Sequence, residues 1–343
     1  MNFTPLVTIG LVLHKNEEYL KPCLEGLLNQ DYPNIEFLMR DQSPGGEAIE
    51  YIQHNLPDVF RAVKIERGPN LWHSGGHNRL IRRMNGQYYI TASVDMSYPA
   101  DFVSQAIGTL EEPENRHYGS ATVKLMRWDF ANQAETDFID SCGIGITRSH
   151  HFYDIGQGEE DKGQYDEMRD IFGPSGALSI FRKNALQDVA YPNNAGLPEY
   201  YDSLLHYKND VDLAYRLQWA GHRSLFIPQA KVYHDRQAGN FEQSPFRLMR
   251  ILKGRKGKSD FVRENSFFGQ QAVLYKDYLP EFSAGVRFKT SLANNLTKLY
   301  CRLREPELLK QLELIKEVQG ELDDKRSAIK FRIAPSRIEK LMK

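Results

Sequence analysis

Two carboxylates and an imidazole stand out between Asn209 and His234. Asp210 and Asp212 begin the run Asn209-Asp-Val-Asp-Leu-Ala-Tyr-Arg-Leu-Gln-Trp-Ala-Gly221, and His234 closes the segment that follows it. Carboxylates and imidazoles move protons and hold metal ions. The spacing of Leu213, Tyr215, Leu217 and Trp219, with Gly221 as a stop, predicts a short helix whose N-terminal mouth carries both acids. Ser224-Leu-Phe-Ile227 has strand composition, Pro228 breaks it, and Lys231-Val-Tyr-His234 resumes extended. The chain can thus return towards the helix start, so that Asp210 and His234 face one cavity. The same residues also have structural uses. First-turn carboxylates offset the helix dipole, and a histidine after a strand is often a surface or satisfied core residue.

The elements that must position these groups begin at Val7-Thr-Ile-Gly-Leu-Val-Leu13, a β-branched and aliphatic run typical of a strand buried on both faces. A helix is expected from about Glu18 to Gln30, a second strand at Ile35–Met39, a helix at about Glu47–Asn55 and a short strand at Val63–Ile65. A glycine-bearing loop runs from Gly68 to Asn78, a helix from about Asn78 to Met84, and a strand from Tyr88 to Asp95. Such alternation predicts an α/β fold, a mostly parallel sheet flanked by helices that binds ligands beyond the carboxyl ends of its strands. Asp41 and Asp95 lie at such ends, where an Asp is also a common turn-former. Segment 140–182 is rich in Gly, Asp and Gln and reads as an irregular, ordered loop of the kind that carries binding residues, with strands at Ile144–Ile146 and Ala177–Phe181.

Of 343 residues, 41% are hydrophobic and 26% charged, which excludes a disordered chain. The formal net charge of −1 makes no case for a nucleic-acid partner. It conceals an asymmetry, because 22 basic and 12 acidic residues follow from Phe246 onward, leaving the part before it acidic. Three scattered cysteines without a paired spacing argue against a disulfide framework or a structural zinc site and suit a reducing, cytoplasmic home. No basic leader with an apolar core opens the sequence, and no long apolar run suggests a membrane span. A catalytic domain over 1–240 and a basic, helical C-terminal region over 241–343 are expected. Arg247–Lys258 interleaves cations with apolar residues, and Leu308, Leu312, Ile315, Val318 and Leu322 recur at helical spacing. That region could pack on the catalytic sheet, attach peripherally to an anionic membrane, or form a homo-oligomer.

Taken in order, these segments resemble the inverting family-2 glycosyltransferases of GT-A fold, in particular their rhamnosyltransferase-like and galactofuranosyltransferase-like bacterial branches. The resemblance spans Val7 to His234. It implies a nucleotide-binding turn at His14-Lys-Asn-Glu, a nucleoside contact at Asp41, and a donor loop Asn70-Leu-Trp-His-Ser-Gly-Gly-His-Asn78 in which Asn70, Gly75, Gly76 and Asn78 approach the donor. Trp72 stands there where the family has a glycine. Ser93-Val-Asp95 takes the place of the family's Asp-x-Asp, so Asp95 inherits the metal role with His234 as its partner, and Mg2+ or Mn2+ is the expected ion. Asn209-Asp-Val-Asp-Leu takes the place of Glu-Asp-x-Asp-Leu, which makes Asp210 the general base. Ser175 and Gly176 fall beside the acceptor. The resemblance implies transfer of a sugar, with dTDP-rhamnose as the leading donor and UDP-galactofuranose or a UDP-hexose as alternatives, to a cell-surface polysaccharide or lipid-linked glycan precursor on the cytoplasmic face of a membrane. A nucleotidyltransferase would want a basic glycine-rich loop after the first strand, which is absent. A third reading, an inactive GT-A scaffold or glycan-binding protein, is motivated by Ser93 and Asn209.

Overall fold

A computed structural model describes residues 4–192, 196–236 and 259–343. The basic stretch Arg247–Lys258 therefore lies outside the described residues. The aliphatic run forms β1 (Val7–Leu13), buried almost throughout, and pairs in parallel with β2 (Ile35–Asp41) and β4 (Tyr88–Ala92); β3 (Lys64–Arg67) extends the sheet beyond β2. Helices α1 (Glu17–Leu28), α2 (Glu47–Asn55), α3 (Pro57–Ala62) and α4 (Trp72–Ile81) connect these strands. The short β5 (Met96–Ser97) leads into α5 (Phe102–Glu111), followed by β6 (Tyr118–Asp129) and β7 (Ala134–Ser141).

The irregular segment contains β8 (Ile144–Ile146), β9 (Phe152–Asp154) and β10 (Arg169–Ile171), and β11 (Ser179–Arg182) re-enters the sheet. Helix α6 (Lys183–Val189) and the small hairpin strands β12 (Tyr191–Pro192) and β13 (Pro198–Glu199) precede α7 (Asn209–Ala220) and β14 (Arg223–His234). Sheet order is β10-β14-β6-β11-β4-β1-β2-β3, with β5 paired to β14 and β7 to β6. The antiparallel β11 joins the parallel group at β1 to the parallel pair β6–β14. This is the mostly parallel, helix-flanked α/β sheet expected from the sequence.

Two local expectations change. Pro228 does not end its strand; β14 continues past it with a register irregularity between Ile227 and Lys231, the ladder skipping Pro228, which has no N–H to donate, with Gln229 and Ala230. The segment read as a loop up to Asn78 is helical from Trp72. Gly75 and Gly76 are thus inside α4, where a Cβ on Gly76 would lie 2.8 Å from Val12 Cγ2. Close packing of α4 on β1 is what the glycine permits, and that contact outweighs its poor helix propensity.

Helices α8 (Asp260–Asp277), α9 (Ala284–Arg304), α10 (Lys310–Glu317), α11 (Gln319–Ala328) and α12 (Pro335–Glu339) complete the described chain. They share a core with α7: Val211, Ala214, Tyr215 and Trp219 pack with Phe268, Val273, Phe282 and Leu322. Beneath this core is a buried ion cluster. Asp212 accepts from Arg216 Nε at 2.9 Å, Tyr191 Oη at 3.1 Å and Lys276 Nζ at 2.5 Å. Lys276 also bonds Asp202, which accepts from Lys325 Nζ at 2.6 Å. Burial alone would discharge Lys276, but Asp202 and Asp212 hold its pKa well above the ordinary lysine value.

Removing one partner of such a cluster strands the opposite charges in the interior. Lys276→Met is expected to cost about 3–5 kcal/mol in a urea unfolding titration. Phe288→Ser, on an exposed position, serves as the control and should stay within about 0.5 kcal/mol of the parent.

Candidate active site

Loops at the carboxyl edge of β1, β2 and β3 are stitched together. Gln42 N donates to Leu13 O at 2.8 Å, Lys15 N to Ser43 Oγ at 3.0 Å, and Gly68 N to Asp41 O at 3.0 Å. His14 stands exposed at the tip of the first loop, followed by Lys15 and Asn16 in the left-handed region at φ 60° and 70°. Asp41 is fully buried and accepts from the backbone N–H of Ser43 at 2.8 Å and of Ile49 at 3.0 Å, which shapes the turn into α2. Asn70 Oδ1 accepts from Trp72 N at 2.8 Å, holding Trp72 at φ 58° with its indole 47% exposed and stacked on Phe261 at a centroid distance of 5.1 Å. Asn78 is buried and bonds the backbone of Tyr200 and Tyr201 through three hydrogen bonds of 2.7 to 2.9 Å. Of the donor-loop residues, then, His14 and Asn70 sit at the open edge. Asp41, Gly76 and Asn78 are built into its support, and Gly75 lies in α4, where a Cβ would come 2.7 Å from Leu71 Cβ.

Beyond β4 the polar groups converge. His234, at the end of β14, is buried with Nδ1 2.8 Å from Asp140 Oδ2 and Nε2 3.4 Å from Asp95 Oδ2. Asp140 is fully buried and lies 3.0 Å from Arg236 Nε, and Arg236 Nη2 reaches Asp154 Oδ2 at 3.0 Å. The result is a continuous line of alternating charge: Asp95, His234, Asp140, Arg236, Asp154. Burial disfavours charge on His234, yet the hydrogen bonds to Asp140 and Asp95 raise its pKa to about 9. Burial likewise pushes the Asp140 carboxyl upward, and His234 and Arg236 more than offset this, leaving it below the ordinary carboxylate value.

Asp210 occupies the first turn of α7. Its Oδ2 lies 2.6 Å from where a Cβ on Gly176 would be, so glycine is needed there to leave the carboxylate room. Desolvation raises the Asp210 pKa against the opposing charge of Lys208 and a hydrogen bond from Val211 N, while nearby Asp154 raises it further. Asp210 and Arg236 are close enough for their charges to act on each other, which links the base candidate to the His234 line. Asn209, which takes the place of the Glu in the resembled motif, donates to Ser74 Oγ at 2.8 Å and holds α7 against α4. Ser175 is buried and turns its own loop, bonding Ser179 through its carbonyl at 2.7 Å, and Ser93 donates to Ala177 O at 2.8 Å. Gly176 is therefore brought to Asp210, while Ser175 supports it from behind.

Asp140, Asp154 and Arg236 were not among the site residues expected from sequence. For Arg236 a signal existed: it is two residues after His234, and extended chain places alternate residues on one face. Asp140 and Asp154 are separated from His234 by long stretches of chain, and pairing of β6 with both β7 and β14 brings Asp140 to it.

A family model described as glycosyl transferase family 2 matches residues 8–190, more than half of the chain. The chain belongs to glycosyl transferase family 2. The matched span contains Asp41, Asp95 and Gly176 and ends before α7. No curated protein matches the chain. Among solved structures, residues 1–349 of S. aureus TarS superpose with a TM-score of 0.51 at 13% identity, over 98% of this chain and 83% of that one. GalNAc-T7, solved with UDP, GalNAc and Mn2+, gives 0.53 at 13% identity over 86% of this chain and 55% of that one. At such identities the likeness is one of fold. Family-2 glycosyltransferases act on nucleotide-sugar donors, and the carboxyl edge of this sheet is where such a fold places a ligand.

In the metal-free protein the His234 ion pairs stabilise the fold through a raised pKa. That contribution is fully present below the ordinary value of 6.5 and is lost as pH rises through about 9. The melting temperature of the parent should exceed that of His234→Gln most strongly below pH 6.5 and converge with it above pH 9. A difference independent of pH would show that the imidazole is neutral throughout.

Proposed function

We propose that this family-2 member is a metal-dependent, inverting glycosyltransferase in which Asp210 is the general base. The observation that carries the reading is the environment of Asp210. A carboxylate with a raised pKa stands at a helix mouth, spaced by Gly176 and facing the charged line that ends at Asp95. Raised basicity suits proton removal from an acceptor hydroxyl, a poor nucleophile until deprotonated. The hydroxyl oxygen bonds to the anomeric carbon as the bond from that carbon to the phosphate oxygen breaks. Its proton goes to Asp210, and the nucleoside diphosphate leaves from the opposite face. A single displacement inverts the anomeric centre and needs no covalent enzyme intermediate.

The residues present fit a divalent ion such as Mg2+ or Mn2+. Asp140 holds Nδ1 of His234, which leaves Nε2 directed at Asp95, the second-sphere arrangement that orients a metal-ligating imidazole. Held by Asp95 and His234, such an ion would offset the charge on the departing diphosphate. Among the described residues no group of three or more side-chain ligands is present, so the bare ion should bind weakly without nucleotide. Crystallisation of the fold relative GalNAc-T7 with UDP and Mn2+ supports the same reading. The donor is proposed to be dTDP-rhamnose and the acceptor a surface polysaccharide or lipid-linked glycan precursor, on the motif resemblance of the 140–177 segment.

Release of nucleoside diphosphate from a panel including dTDP-rhamnose, UDP-galactofuranose and UDP-hexoses, with and without chelator and alongside thermal-shift binding, tests donor and metal together. Asp210→Asn is expected to slow transfer by about 10²–10⁴-fold with nucleotide affinity preserved. Transfer at the parental rate would remove Asp210 from the role of base.

A further inference from the structure

Helix α9 has two apolar faces. One is docked: Val286, Thr290 and Cys301 are buried, and Asn294 accepts from Gln271 Nε2 of α8 at 2.9 Å. The other carries Phe288, Leu292, Leu296, Leu299 and Leu303, which are 68%, 47%, 56%, 50% and 71% exposed. Steps of three and four residues place these five side chains on one stripe about 22 Å long. Nothing among the described residues covers it. Isolated exposed leucines are ordinary, but a continuous stripe of this length marks an interaction surface.

Charge decides what fits. The 21 residues of α9 include Arg287, Lys289, Lys298, Arg302 and Arg304 and no Asp or Glu. Among the described residues none of these cations has an acidic partner. A second copy of the helix could follow the stripe geometrically, but the pair would set five uncompensated positive charges against five more and would lack the opposite charges that flank a stable helix seam. A surface of anionic lipid supplies both an apolar layer and the missing negative charge. No described helix is long and apolar enough to cross a membrane, so contact would be along the surface.

We propose that α9 lies on an anionic bilayer surface, its Phe288–Leu303 stripe in the acyl boundary and its flanking Lys and Arg side chains among the headgroups. The tertiary contacts orient the cleft accordingly. Arg263 of α8 lies 3.6 Å from Glu305, just past α9, while Phe261 stacks on Trp72 beside the donor loop. The Leu303 end of the stripe is thus at the same end of the α8–α9 pair as the open edge of the cleft. Exposed Leu71, Trp72 and Phe261 extend the apolar surface there. A lipid-linked acceptor could be met at the membrane without leaving it.

Vesicle sedimentation of the full chain tests this without donor or acceptor, so its failure would leave the sugar-transfer reading standing. Binding is expected to phosphatidylcholine vesicles that contain phosphatidylglycerol and to be at background with phosphatidylcholine alone. Leu296→Ser/Leu299→Ser, with an unchanged melting temperature, should weaken it by about tenfold or more, and Lys298→Gln/Arg302→Gln should weaken it and reduce its salt sensitivity. The proposal is overturned if the Leu296→Ser/Leu299→Ser protein binds like the parent, or if neutral vesicles bind equally. A lipid-free dimer that the same substitutions dissociate would also overturn it, by assigning the stripe to a second copy.

Discussion

The first turn of α7 depends on Asp212 being neutralised in the interior. A carboxylate with no exposure is tolerable only because Arg216, four residues on in the same helix, and Lys276 from α8 meet it directly while Tyr191 donates a further hydrogen bond. Two residues earlier, Asp210 stands in the cleft with a raised pKa and, among the described residues, no ion pair of its own. One helix turn thus holds two acids in opposite roles. Asp212 is saturated by its partners, which anchors the turn that carries Asp210, whose carboxylate is left available. An acid in a first turn gains something from the helix dipole, but at most about 2 kcal/mol, too little to pay for burial without those cations.

The same cluster explains how the chain's uneven charge is used. The part before Phe246 is acidic and the part after it basic, and much of the imbalance is resolved between them. Lys276 and Lys325 meet Asp202, Lys325 lies 3.6 Å from Glu199, and Lys330 and Arg332 converge on Asp188. The C-terminal helices therefore act as counter-charge to the acids of the α6–α7 region as well as cover for its apolar face. What is left over concentrates on α9, where five cations have no acid on their own helix. Interior pairing and surface charge are separable outcomes of one compositional bias.

In the cleft, charge is arranged as a line rather than a cluster. Asp140 and Arg236 brace His234, and His234 in turn meets Asp95. Each interior group has a partner of opposite sign on either side, which keeps the line ionised despite burial. The outermost member, Asp95, is partly exposed and faces the edge where the sheet opens. A pre-oriented imidazole and carboxylate at a sheet edge are held by the fold before any ligand arrives.

Much of this is legible in the sequence because it depends on local pattern. The aliphatic run at Val7–Leu13, the alternation of strands with helices and the stop at Gly221 all follow from local pattern. Sequence did not reveal the helical start at Trp72, since glycines that read as loop are tolerated where Gly76 must approach Val12. Nor did it assign Asn78 and Asp41 to scaffold bonding, or Asp212 to an ion cluster, because their partners are remote in the chain. Asp140 and Asp154 were hidden for the same reason, whereas Arg236 stands only two residues after His234. The sequence by itself determined which elements form and which residue types line the carboxyl edge, since those follow from neighbours three or four residues away. Only the tertiary structure decided which acids are neutralised and which remain free, because the cations that make the difference arrive from α8 and α11, some 64 to 123 residues downstream.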